Sequence, residues 1–186
     1  FGATTVSAYW EARTNSSNFA TNASYVFGGD MNGDSASNND LIYIARDASE
    51  TTFVPYTSGG VTFTAAQQAA AWDAYIAQDK YLSKHRGEYA VRNATFLPIV
   101  RQADLSLSQD IFRNVGGKRH SLQFRTDILN VGNLLNKNWG VGVRFVNSQP
   151  LIIATAAQGG AVSASGAPQY TLRSINGALM NTTFQP

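Results

Sequence analysis

Cysteine is missing from the 186-residue sequence, so disulfides, thiolate nucleophiles and Cys-ligated zinc or iron-sulfur centres are excluded. Packing or strand pairing must hold the chain together. Charge is scarce too: Asp, Glu, Lys and Arg make up 14%, against about a quarter in ordinary soluble domains. The balance of 14 basic against 12 acidic residues leaves a formal +2, so the pI near 9.0 reflects a small excess and gives no nucleic-acid footprint. No apolar run approaches the roughly 18 residues of a membrane-crossing helix. A membrane barrel is untouched by that absence, because its strands need only about 9–11 alternating residues. With no Gly-x-Ser-x-Gly elbow and only His85 and His120 available as bases, a hydrolase has little to work with.

What the sequence has is alternation. In residues 4–13, TTVSAYWEAR, Val6, Ala8, Trp10 and Ala12 fall on one face and Ser7, Tyr9, Glu11 and Arg13 on the other. Residues 103–112, ADLSLSQDIF, set Ala103, Leu105, Leu107, Gln109 and Ile111 against Asp104, Ser106, Ser108, Asp110 and Phe112. After the turn sequence RNVGGK, residues 119–130 set Leu122, Phe124, Thr126 and Ile128 against Gln123, Arg125, Asp127 and Leu129. These patterns predict a hairpin with one greasy and one polar face. Further on, NWGVGVRFV aligns Trp139, Val141, Val143 and Phe145 as on a strand, and residues 169–175 are another candidate.

Between the first strand and the hairpin, residues 14–40 are rich in Asn, Ser, Gly and Asp, interrupted by ASYVFGG, and LIYIAR then turns apolar as a strand end would. Residues 64–86 carry the one strong helical signal. Thr64 with Gln67 matches a capping box, Ala fills the first turns, Lys80, Lys84 and Arg86 gather towards the end, and Gly87 is a natural stop. Trp72, Tyr75, Ile76 and Leu82 form the stripe by which this surface helix docks on its own protein.

The hairpin's alternation fits two settings. In water the apolar face packs on a second layer; in a membrane barrel it meets lipid while the polar face lines the interior. The run from Leu97 to Gly140 resembles the C-terminal barrel region of TonB-dependent outer-membrane receptors, nearest to the Oar-like group with its carboxypeptidase-regulatory-like domain. The residues carrying the resemblance are Pro98, Arg101, Asp104 to Gln109, Gly116, Gly117, Asp127, Asn130, Asn133 and Trp139-Gly140. The stretch GGDMNGDSASNNDLIYI, residues 28–44, is similar to a loop of the same group.

The resemblance implies a mainly β fold: antiparallel strands forming part of a plugged, 22-stranded transmembrane barrel, with the whole chain a single fragment of it. Residues 14–98 become long extracellular-type loops including the helix, and residues 99–147 the C-terminal hairpin strands. Implied partners are outer-membrane lipid, the remainder of the barrel and its plug, TonB, and a bulky nutrient. Both ends of the sequence read as cut from something larger, with material for five or six strands whose open edges invite self-association. The competing readings are a soluble or surface-exposed β-rich adhesion or self-assembly module and a small hydrolase.

Asp30, Asn32 and Asp34 occupy alternate positions like the start of a calcium loop, with Asp40 a fourth oxygen donor. Ser35 stands where such loops need Gly, and Leu41 where they need Glu, so Asx turns are the competing account. Asp104, Asp110 and Asp127 share one face, as a glycosidase pair would. Arg101, Arg113 and Arg125 balance them as an ion-pair network. Trp10, Trp72 and Trp139 read as girdle or core residues.

Overall fold

A computed structural model describes residues 2–14 and 22–185, and of residues 22, 112–115, 119 and 121 it describes the backbone. Residues 15–21 of the predicted loop 14–40 lie outside the described residues. The fold is mainly β, with antiparallel sheets and one α-helix. Two compact units emerge: Phe1–Ser17 with Leu97–Val143 and Pro186, and Asn18–Phe96 with Arg144–Gln185.

The first unit is built on three long strands, β1 (Thr4–Thr14), β2 (Ile99–Val115) and β3 (Lys118–Ile128), in the order β1-β2-β3. Both pairings are antiparallel. Thr4 lies opposite Gln109 and Thr14 opposite Ile99, while Leu105 lies opposite Ile128 and Val115 opposite Lys118. Irregular register around Asp110 and Phe112 marks a bulge. Gly116 and Gly117 both adopt positive φ, the geometry of a two-residue turn matched to strand twist. β2 starts four residues before the predicted boundary, because Arg13 and Thr14 still offer it a partner.

This topology has a direction. At one end β2 and β3 are joined by two glycines; at the other β1 leads into residue 15, β2 emerges from residue 98 and β3 releases residue 129. Both long excursions of the chain leave the same end of the sheet. The strands of the described residues form no closed barrel. Among the described residues only these three strands reach bilayer-spanning length, fewer than the five or six expected.

The second unit gathers its strands in short pieces: Leu151–Ile153 pairs antiparallel with Gln169–Leu172, which pairs parallel with Thr52–Phe53. Its core holds Tyr25, Phe27, Ile42, Ile44, Phe53, Trp72, Tyr75, Ile76, Leu82, Leu151 and Leu172, all buried. ASYVFGG and LIYIAR therefore supply core rather than long strands, joined to neighbours by isolated bridges such as Val26 to Leu41 and Tyr43 to Tyr89.

Helix α1 spans Ala65–Gln78, opened by the capping box of Thr64 and Gln67. The stripe docks as its spacing requires, with Trp72, Tyr75, Ile76 and Leu82 fully buried. Gln68 is buried among them and satisfied at both ends: its Nε2 donates to the Val54 carbonyl at 2.7 Å, and the Leu172 N–H donates to its Oε1 at 3.0 Å.

The helix stops eight residues short of the predicted end at 86. Asp79 is the cause: its Oδ1 accepts the N–H groups of Tyr81 and Leu82, while its Oδ2 accepts the hydroxyls of Tyr25 at 2.6 Å and Thr183 at 2.8 Å. A carboxylate drawn into the core in this way ends α1 and caps the turn Leu82–Lys84. Lys80, Lys84 and Arg86 thus lie beyond the helix, and Arg86 pairs instead with Asp73 at 2.8 Å. Burial pushes the Tyr75 phenol up to about 12 and holds Tyr25 well above its ordinary range.

Replacing Asp79 by Ala strips four donors of their acceptor. Asp79→Ala should cost roughly 2–4 kcal/mol in urea unfolding. In 5-fluorotryptophan NMR the Trp72 resonance should broaden or move, with Trp10 and Trp139 unchanged.

Candidate functional site

The long-stranded sheet places Val6, Ala8 and Trp10 of β1, Ala103, Leu105 and Leu107 of β2, and Phe124, Thr126 and Ile128 of β3 on one face. Among the described residues of the unit no second layer covers it, and the loop after β3 reaches it only at the start of β2, over residues 99–103. Trp10 is 65% exposed, Phe124 57% and Leu107 40%, with Val6, Ile111 and Leu122 also exposed. Each such side chain forgoes part of the roughly 1.5–3 kcal/mol that full burial would contribute. An apolar face of this extent marks an interaction surface.

The opposite face is a polar lattice. Tyr9 donates to Glu11 at 2.9 Å, Glu11 pairs with Arg13 at 2.8 Å, Gln123 donates to Asp110 at 2.9 Å and Arg125 binds Asp127 at 3.0 Å. Asp104, Asp110 and Asp127 do share this face, and each is engaged by a neighbour, Asp104 through the Asn130 N–H at 2.7 Å. The predicted ion-pair network needs one correction. Arg101 lies opposite Ala12 and belongs to the apolar face, because it is in phase with Ala103 and Leu105. The side chain of Arg113 lies outside the described residues.

After β3 the chain folds into a compact loop that ties together the scattered pieces of the receptor-like pattern. Asn130, at φ 51°, donates through Nδ2 to the Trp139 carbonyl at 3.1 Å; Asn133 donates to the same carbonyl at 3.2 Å and to that of Lys137 at 2.8 Å. Gly140 sits at φ +71°, with space beside it so tight that a Cβ would lie 2.2 Å from Asn130 Oδ1. Gly132 packs beneath the Trp139 ring, where a Cβ would come within 3.2 Å. The spacing N-x-x-N followed by W-G is thus a loop clasp, anchored to β2 through Asp104.

The clasp overturns the predicted strand over 139–145. Trp139 and Gly140 are held in a turn, and only Arg144–Phe145 is extended, pairing with Phe184–Gln185 in the second unit. The candidate at 169–175 forms as Gln169–Leu172 and Ser174–Ile175.

In the second unit, Asp30 accepts the N–H groups of Gly33 and Ser35 at 2.7 and 2.8 Å, Asp34 accepts that of Ala36 at 2.8 Å, and Asp40 accepts those of Met31 and Asn32 at 2.7 and 3.3 Å. Asn32 accepts the Asp34 N–H at 2.9 Å. The calcium-candidate oxygens of Asp30, Asn32, Asp34 and Asp40 are turned onto the loop's own backbone as Asx turns. The Ala36 N–H, with help from Asn32, holds the Asp34 carboxyl below its ordinary value. Among the described residues no three His or acidic side chains form a group that could hold a metal ion. His85 sits 2.9 Å from Glu88 in this unit, and His120 is exposed on β3 in the other. Of the three tryptophans, Trp72 is core and the other two are exposed.

No family model, curated protein or solved structure matches the chain.

The clasp gives a sharp test. Gly140→Ala forces a side chain into the Asn130 amide at a left-handed backbone position, and should cost about 2–3 kcal/mol locally. The fluorotryptophan resonance of Trp139 should shift towards its unfolded position while that of Trp72 stays in place.

Proposed function

We propose that the chain is part of a TonB-dependent outer-membrane receptor that takes up a bulky nutrient, with the three long strands forming a section of its barrel wall. One observation carries the reading: a sheet of bilayer-length strands leaves most of an apolar face exposed, with Val6, Trp10, Leu107, Leu122 and Phe124 bare and Ala103, Leu105 and Ile128 half-exposed, while its other face is wet and ion-paired. Hydrocarbon tails satisfy the first face and an aqueous, plug-filled interior the second. The polarity of the loops agrees. A two-glycine turn at one rim and both long excursions at the other match the short-turn and long-loop ends of outer-membrane barrels. In this reading the long excursions face outward and meet the ligand, the Asx-turn loop among them. The outer edges of β1 and β3 pair with neighbouring strands of the complete wall, since open edges are not tolerated in lipid.

A second reading draws on those same edges. In water, two unpaired long strands and a bare apolar face suit a surface-exposed β-rich module that assembles with copies of itself.

Arginine placed on each face separates the two. Leu107→Arg and Phe124→Arg should reduce folding into phosphatidylcholine vesicles by roughly 2–4 kcal/mol, the cost of Arg at the midplane of a barrel wall. Ser106→Arg, on the wet face, should leave it nearly unchanged. A chain that forms a defined β oligomer without lipid, lost in Leu107→Arg, would favour self-assembly and defeat the receptor reading.

A further inference from the structure

At the long-loop end of the apolar face a groove of about 480 Å³ opens, walled by Trp10, Ile99, Arg101 and Ala103 from the sheet and by Leu135 and Trp139 from the clasped loop. It exists because β3 ends opposite Leu105, leaving residues 99–104 of β2 without a partner on that side. The loop folds back there instead.

The lining is chemically lopsided. Two exposed indoles and aliphatic side chains, with the amides Gln102 and Asn138, surround one guanidinium, and among the described residues no carboxylate lines the groove. The ion pairs formed among the described residues do not involve Arg101. An exposed cation beside two indoles is placed to meet an anion, and a guanidinium fork suits phosphate oxygens. Its height on the sheet is informative as well. Trp10 and Arg101 lie at the end of the apolar band of Val6, Leu105, Leu107 and Phe124, where interfacial tryptophans and snorkelling arginines belong.

We propose that this groove seats the phosphate headgroup of an anionic membrane lipid. Arg101 binds the phosphate, Trp10 and Trp139 flank the glycerol region, and the acyl chains run down over Leu105, Leu107 and Phe124. The proposal rests on the lipid-facing reading of the sheet and adds to it a preference among lipids, located at one residue.

The test is flotation of the full chain with vesicles of pure phosphatidylcholine and with vesicles also containing phosphatidylglycerol. The wild-type chain should float with both and favour the anionic vesicles. Arg101→Gln should lose about fivefold of that preference, Arg101→Lys should retain part of it, and Lys84→Gln, which removes the same charge from the exposed surface of the second unit, should retain all of it. Equal loss in Arg101→Gln and Lys84→Gln, or none in either, overturns the headgroup site and leaves the lipid-facing reading standing. A wild-type chain that floats with neither vesicle removes both. A dimer that forms without lipid and is abolished by Trp10→Ala would assign the groove to a second copy and likewise overturn the proposal.

Discussion

A strand has two faces, and among the described residues of this sheet's own unit no second layer covers the apolar one. The sheet of β1, β2 and β3 exposes Val6, Trp10, Leu107, Leu122 and Phe124, while the reverse side binds its own charges in pairs such as Arg125 with Asp127. Water alone cannot suit both surfaces. Either a second medium meets the apolar face or another polypeptide does, and the remaining features take their meaning from that choice: strand length, the direction of the loops, and the lone Arg101 among apolar neighbours.

The second unit solves a different problem by different means. Its strands are two to four residues long, and its cohesion comes from α1 and a core of aromatics, with Trp72 stacked on Tyr75 and Tyr25 edge-on to the same ring. Two buried polar residues tie distant pieces of chain together. Gln68 links the helix to Val54 and Leu172, and Asp79 joins α1 to Tyr25 and Thr183. A segment folded around such a core can be long without being loose.

How much of this could be read in advance depended on how local the signal was. Alternation in TTVSAYWEAR and in ADLSLSQD gives the faces of β1 and of β2 as far as Asp110, because period two is dictated by the backbone; beyond it the bulge shifts the phase and sets Phe112 opposite Leu122, against the expected polar side. The capping box of Thr64 and Gln67 fixed where α1 begins, again within four residues. Where α1 ends was set by Tyr25 and Thr183, over fifty and over a hundred residues away, and nothing in the spacing of Lys80, Lys84 and Arg86 reveals that. The strand expected over 139–145 failed for a related reason: its alternation is genuine, but Asn130 and Asn133 capture the Trp139 carbonyl first. Arg101 stood in the receptor-like pattern, yet its groove depends on where β3 stops, a tertiary fact. Asn130, Asn133 and Trp139-Gly140 have no local pattern that explains their spacing; the clasp supplies the reason.

Because the chain has no cysteine, a single introduced thiol can report each position without background. Nitroxide labels on Leu107→Cys, Phe124→Cys, Ser106→Cys and Arg125→Cys, in chain reconstituted into phosphatidylcholine vesicles, measure whether each site meets lipid or water. The account predicts high oxygen and low nickel-chelate accessibility at the first two and the reverse at the last two. Low accessibility to both reagents at Leu107 and Phe124 would mean that protein covers the apolar face, and the lipid-facing account would be wrong.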